Sequence, residues 1–239
     1  MQILIACFLL LVTMSSFAQP TLVVVTEFSP PHQTQIGNKV GGFSTDIVTM
    51  IVNEANMNAS ISIYPWARAY QMVSRQKNTL IYSLARTPER ESLFHWIAPI
   101  VHFKLGFVKL AQRDDVRVNN MQQAKHYKIA VQRNDLAYTV LNNHGFDLLL
   151  TPDIQNSYHL LLAKKVDLII DDENYIPAMS KHIGVSPDRF SFIYAIDELN
   201  VDGYLAANLD IDPEILHALQ QAFLKIKDAA KYKALLEAH

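Results

Sequence analysis

The chain has 239 residues, of which 50% are hydrophobic and 18% charged, with a formal net charge of −2. That length and apolar content allow two lobes with cores of their own. The low charge density excludes a disordered chain, and the near-neutral balance gives no basic surface for nucleic acid.

In chain order, the apolar run ILIACFLLLVTM (residues 3–14) precedes Ser16-Phe17-Ala18. Small residues at the two positions that a signal peptidase reads predict a signal peptide over 1–18, cleaved after Ala18. The n-region lacks Lys and Arg, and an uncleaved anchor or buried strand is the alternative. Cys7, the chain's one cysteine, lies in this segment. The mature chain is therefore expected to have no disulfide or thiol chemistry, which suits an oxidising periplasm.

TLVVVTEF (21–28) is β-branched and predicts a buried strand, and SPPHQTQIGNKVGG reads as a loop. FSTDIVTMIVNEANM has helical spacing, SISIY alternates as a strand, and WARAYQMVSRQ sets Trp66, Ala69, Tyr70 and Val73 on one helical face. TLIYSLA is a strand. Thr87 with Pro88 then predicts a capped helix start. FKLGFVKLA (103–111) reads as a long strand able to cross between lobes. YKIAVQ, FDLLLTP and VDLIID are strands interleaved with the helices LAYTVLNNHG, SYHLLLAKK and NYIPAMSKHIG. FSFIYAI and GYLAANL are two strands, and the last helix has Asp212 as cap and Pro213 at its first position.

This alternation predicts an α/β protein with largely parallel sheets. AYQMVSRQKNTLIYSLAR and SYHLLLAKKVDLIIDDEN share the order helix, basic turn, strand, charge. That repetition suggests two similar lobes. In such sheets ligands sit beyond the carboxyl ends of the strands. The first lobe brings Ser83, Ala85, Arg86 and Arg90 there. They form either an anion site suited to a carboxylate or surface ion pairs with Glu89, Glu91 or Asp46. The second brings Asp171, Asp172 and Glu173, which cap a helix, meet a cation, or divide the two tasks. A zwitterion held between the lobes would satisfy both sets.

GGFSTDIVTMI, SLARTPERESLFHWIAPI and VDLIIDDENY, in this order and spacing, together with PWARAYQMV, carry a resemblance over residues 20–236. The chain resembles the periplasmic solute-binding proteins of polar amino-acid transport, family 3. The resemblance implies a two-lobed periplasmic binding protein fold (type II), each lobe a mostly parallel sheet flanked by helices, joined by two crossing strands near 104–110 and 196–204. Lobe 1 would comprise 19–107 and 200–239, and lobe 2 would comprise 108–199. It implies that Arg90 holds a ligand α-carboxylate, with Ser83 and the backbone near Ala85 completing the cradle, and that Asp172 holds an α-ammonium. Glu27 would meet the ligand side chain, with Phe28, Trp66 and Tyr82 as walls. Two departures stand out: Ala85 stands where the family often has a hydroxyl residue, and QRNDL stands where it usually has Gly followed by Ser or Thr, which makes Asn134 and Asp135 candidate ligand contacts.

The implied function is periplasmic binding of a small polar solute, an amino acid or related carboxylate, by hinge closure and for delivery to an ABC permease. The protein would be a monomer with no cofactor, no metal and no nucleic-acid partner. One alternative is a sensory subunit that hands the same ligand to a membrane sensor. Another is a dehydratase-like enzyme with Glu173 as general acid. The nine histidines show no HExxH spacing, and there is no G-x-S-x-G elbow or phosphate-binding glycine loop.

Overall fold

The computed structural model describes residues 21–238. The expected signal peptide and Cys7 lie outside the described residues. In order, the elements are β1 (Leu22–Thr26), β2 (Thr34–Ile36), β3 (Lys39–Gly41), α1 (Phe43–Glu54), β4 (Ala59–Ile63), α2 (Trp66–Arg75), β5 (Thr79–Ala85) and β6 (His95–Leu110). They continue with α3 (Met121–Ala124), β7 (Ile129–Gln132), α4 (Leu136–Asn143), β8 (Leu148–Thr151), α5 (Ile154–Leu162), β9 (Leu168–Asp172) and α6 (Ile176–His182). Last come β10 (Phe190–Ala207), α7 (Pro213–Ile226) and α8 (Ala230–Leu236).

Eight strands run in the order β4-β1-β5-β10-β6-β9-β7-β8. The outer strands on each side pair in parallel, β4-β1-β5 in one half and β9-β7-β8 in the other. The halves share β6 and β10, which run antiparallel to each other along their length. The register between these two slips from Ala195↔Gly106 to Asn200↔Lys104. Residues 196–199 thus bulge against Leu105 alone. A bulge bends and twists a strand pair, and here it lies where the two halves meet.

Strand alternation builds a helix-covered layer on each face of both halves. In the first half Val24 joins Ile47, Ile51, Leu80 and Leu219, whereas Val25 joins Trp66, Ala69, Val73 and Ile81. In the second half Phe107, Val131 and Leu141 form one cluster, and Val108, Ala130 and Tyr158 form the other. Among the described residues three α-helix starts are capped by aspartates that accept backbone N–H bonds: Asp135 from Tyr138, Asp153 from Asn156 and Asp212 from Glu214.

Three expectations need correction. The stretch read as a loop contains the hairpin β2–β3, turning at Gly37 with φ 61°. Thr87 makes no side-chain cap, and Pro88–Leu93 is a 3₁₀ helix instead of an α-helix. FSFIYAI and GYLAANL belong to one 18-residue strand, β10. The short helices α3 and α8 had not been foreseen.

Candidate functional site

The parallel strands of both halves point their carboxyl ends at one cleft, with a cavity of about 80 Å³. That is room for a small solute or several waters. Glu27 follows β1, Ser83 and Ala85 end β5, and Arg90 sits in the 3₁₀ helix after it. Facing them from the second half are Gln132 at the end of β7, Asp135 capping α4, and Asp171 in β9. Trp66, Phe103, Leu105, Ile154 and Ile170 supply apolar wall.

The open question about the two arginines resolves differently for each. Arg86 is half-exposed and donates through Nε to Glu91 Oε2 at 2.8 Å, with its guanidinium over Trp96 and Tyr204. It forms a surface pair. Arg90 is buried in the cleft wall. Its Nη1 donates to the Ala85 carbonyl at 3.4 Å and its guanidinium lies 5.4 Å from the Tyr70 ring centre. Among the described residues no carboxylate forms an ion pair with it. Burial lowers the Arg90 pKa, an effect opposed by Tyr70, Asp135 and Glu89.

The acids are held by neutral donors. Glu27 is half-buried and accepts from Gln132 Nε2 across the cleft at 2.5 Å. Desolvation in the narrow cleft pushes it up to about 8; the Gln132 bond works against this, and the charges of Asp135, Asp171 and Asp153 work with it. Asp135 is pushed up to about 7 by desolvation, against the Tyr138 N–H bond and the attraction of Arg90. Asp171 is buried and accepts from Tyr158 OH at 2.7 Å and from the Asp172 N–H at 2.9 Å, and burial raises it to about 7.

Of the ten residues named from the sequence, Glu27, Trp66, Ser83, Ala85, Arg90 and Asp135 line the cleft. Ser83 adopts φ 60°, and its Oγ accepts from Gln33 Nε2. The other four named residues do not line it. Asp172 turns both oxygens to backbone N–H groups, Oδ2 to Lys104 at 2.8 Å and Oδ1 to Asn174 at 3.0 Å. It caps the turn and fastens β9 to β6, while its neighbour Asp171 faces the cleft. Tyr82 is fully buried in the first-half core, with its hydroxyl 2.8 Å from Thr45 Oγ1. Phe28 packs on the His182 ring at 4.4 Å and on the second-half core. Asn134 is exposed and contributes only its carbonyl, which accepts from Trp66 Nε1 at 3.0 Å. Glu173, the candidate acid of the enzyme reading, is exposed and outside the lining.

The sequence reading missed Gln132, Tyr175, Phe103 and Leu105. Gln132 stands at a strand's carboxyl end and could have been found from that position alone. Tyr175 lines the cleft, is 3% exposed, and its hydroxyl has no hydrogen-bond partner among the described residues. Among the described residues no group of His, Cys, Asp and Glu could hold a metal ion. No helix among them is long and apolar enough to cross a membrane.

The family profile of the bacterial extracellular solute-binding proteins, family 3, matches residues 22–239. No curated protein matches the chain. Among solved structures, the chain is similar to a histidine kinase sensor domain with similarity to periplasmic binding proteins. The TM-score is 0.79 and the identity 16%, covering 91% of this chain and 94% of that one. It is also similar to an ancestral arginine-binding protein bound to arginine, with a TM-score of 0.76 and 17% identity over 90% and 96% of the two chains. A ligand-binding core from Nostoc punctiforme in complex with L-glutamate has a TM-score of 0.73 and 21% identity over 90% and 96%. At these identities the likeness is one of fold, a two-lobed periplasmic binding protein.

Proposed function

We propose that this chain, which belongs to the bacterial extracellular solute-binding proteins of family 3, takes an α-amino acid as its solute and closes its two lobes over it. The observation that carries this is Arg90. A buried guanidinium without a carboxylate is costly, and a ligand carboxylate would supply the two-pronged partner that its fork suits. Asp171, across the cleft, would accept from the ligand ammonium in the role first given to Asp172. Ser83 and the Ala85 backbone flank the carboxylate end, and Trp66 is a wall.

Closure would hinge at the β6–β10 bulge, with lobes of 19–107 plus 200–239 and 108–199. Trp66 to Asn134 and Glu27 to Gln132 are the bonds that would hold the closed form. The protein would act in the periplasm as a monomer, after removal of residues 1–18, and would deliver its ligand to an ABC permease. A sensory role is the second reading. The similarity to a histidine kinase sensor domain favours it, and the ligand chemistry would be unchanged.

The test is a thermal-shift screen of the purified protein against amino acids, dicarboxylates and polyamines. A ligand at a hundred times its Kd adds about 2.7 kcal/mol to stability. A rise in Tm with one or a few amino acids supports the reading. A rise only with dicarboxylates, only with polyamines, or with nothing in the panel overturns it.

A further inference from the structure

We propose that the outer edge of the second half is a docking surface for a partner protein, which adds to β8 an extended acidic segment with apolar residues at alternate positions.

β8 ends the sheet, and among the described residues it pairs only with β7. The outer side of an edge strand presents backbone N–H and C=O groups that another chain can pair with. The β8 sequence, LLLT, has no charge to discourage this. In the parallel register Leu149 stands beside Ala130 and Leu150 beside Val131, so the two leucines take opposite faces. Ala130 belongs to the core under α5, and Val131 to the core under α4. Yet Leu149 is 44% exposed and Leu150 37% exposed. The covering helices therefore stop short of this edge on both faces. The opposite edge differs: Ile61 and Ile63 of β4 are half-buried, and Ile61 packs on the first-half core.

Charge names the chemistry of the partner. A hollow of about 600 Å³ at the amino ends of β7 and β8 is lined by Lys125, Lys128 and Lys165 together with Phe146, Leu148 and Leu149. Asp147 is the one acid in its lining. Among the described residues none of the three lysines forms an ion pair, and Lys125 lies 5.4 Å from the Phe146 ring centre. Lysines on an edge strand guard it against pairing, but these three stand on the turns before β7 and β9, outside β8. They select the charge of a partner and leave the strand itself open. A second copy docked edge to edge would bring two sets of lysines together, whereas an acidic strand meets the lysines with its carboxylates and the leucines with its apolar residues. Strand addition of this kind takes affinity from the backbone and specificity from alternate side chains. The hollow lies at the other end of β7 from Gln132, which lines the cleft. A partner seated there would hold the protein with its solute site open.

Fluorescence anisotropy tests this with a labelled peptide in which glutamate alternates with valine, titrated with the purified protein, against the same peptide with lysine in place of glutamate. The acidic peptide is expected to bind saturably and at least about tenfold tighter than the basic one. Lys128→Glu together with Lys165→Glu should abolish that preference, and Leu149→Asn should weaken the acidic peptide by about threefold or more. These three side chains are on the surface, and the leucine variant decides the matter if the charge-reversed one fails to fold. Equal affinity for the two peptides, no saturable binding, or an undiminished preference in the variants overturns the proposal. Binding to phosphatidylglycerol vesicles without binding of the acidic peptide would make the edge a membrane contact, and dimerisation lost in Leu149→Asn without peptide binding would make it a contact between copies; either result overturns it as well.

Discussion

Arg90 and Tyr175 are both buried polar groups left short of partners, and they lead to different predictions. Arg90 has one long bond to a carbonyl and one ring beneath its charge. Arg90→Ala should weaken amino-acid binding by roughly 10- to 100-fold, the range of a charge-assisted hydrogen bond in a site shielded from water. Arg90→Lys should restore part of the loss, because it keeps the charge without the fork. Calorimetry reads both, and unchanged affinity in the alanine variant would remove Arg90 from the site. Tyr175 is simpler. Its hydroxyl is buried with no partner among the described residues, and such a group costs about 1–3 kcal/mol when nothing replaces its water. Tyr175→Phe should leave the unliganded protein as stable or more stable by about 1 kcal/mol in urea unfolding. A loss of that size would mean the hydroxyl has a partner after all. At this scale the sequence singled out the acidic run at the cleft, and the fold turns Asp171 toward the cleft in place of Asp172. Asp171 and Asp172 are adjacent in a strand, so they project to opposite sides. Which side faces the cleft depends on how β9 pairs with β6, and that pairing is not written in the local pattern.

The elements that could be read from the sequence are those with a strong period. Val24 and Val25, Trp66 with Ala69 and Val73, and the stripe of α7 all fell where the β-branched run or helical spacing put them. The hairpin β2–β3 was not legible, because three-residue strands of mixed polarity carry no alternation. The cleft residues Phe103 and Leu105 were missed for a related reason. They lie on a crossing strand whose apolar pattern reads as core, and the irregular pairing with β10 around Leu105 is not written in that pattern. Gly106, beside that bulge, is itself held close to β10. A Cβ there would meet the Tyr194 carbonyl at 2.2 Å and the Phe192 ring at 2.5 Å. The first neighbour is backbone and cannot swing aside. Gly106→Ala should therefore destabilise the fold by roughly 1–3 kcal/mol, the usual cost of overpacking a close contact. The urea midpoint would show it, and a wild-type midpoint would mean that β6 and β10 can separate there freely.

Across the whole molecule the three cleft acids act together. Each has a folded-state pKa above its ordinary value, to about 8 for Glu27 and about 7 for Asp135 and Asp171. Between the ordinary carboxylate range and these values the folded chain holds protons that the unfolded chain has released. The contribution of these acids to stability is thus present at low pH and is lost as pH rises toward about 8. Binding of a solute through its ammonium, as proposed, would have the opposite dependence. It requires the carboxylates, so it expels their protons, and affinity should climb with pH over the same window and level off above about pH 8. Below that, each acid that must ionise costs up to about tenfold in affinity per pH unit. Calorimetry at about pH 7 in two buffers of different ionisation heat counts the protons directly. Net proton release is expected, smaller in Glu27→Gln, since an amide has no proton to give up. Zero exchange in the wild type would mean that the acids are ionised before the ligand arrives, and that the cleft is wetter than its walls suggest. In the unliganded protein the same substitution should flatten the fall in Tm between about pH 5 and pH 8, because it removes the largest of the three shifts. A fall equal to that of the wild type would place the titration on other groups.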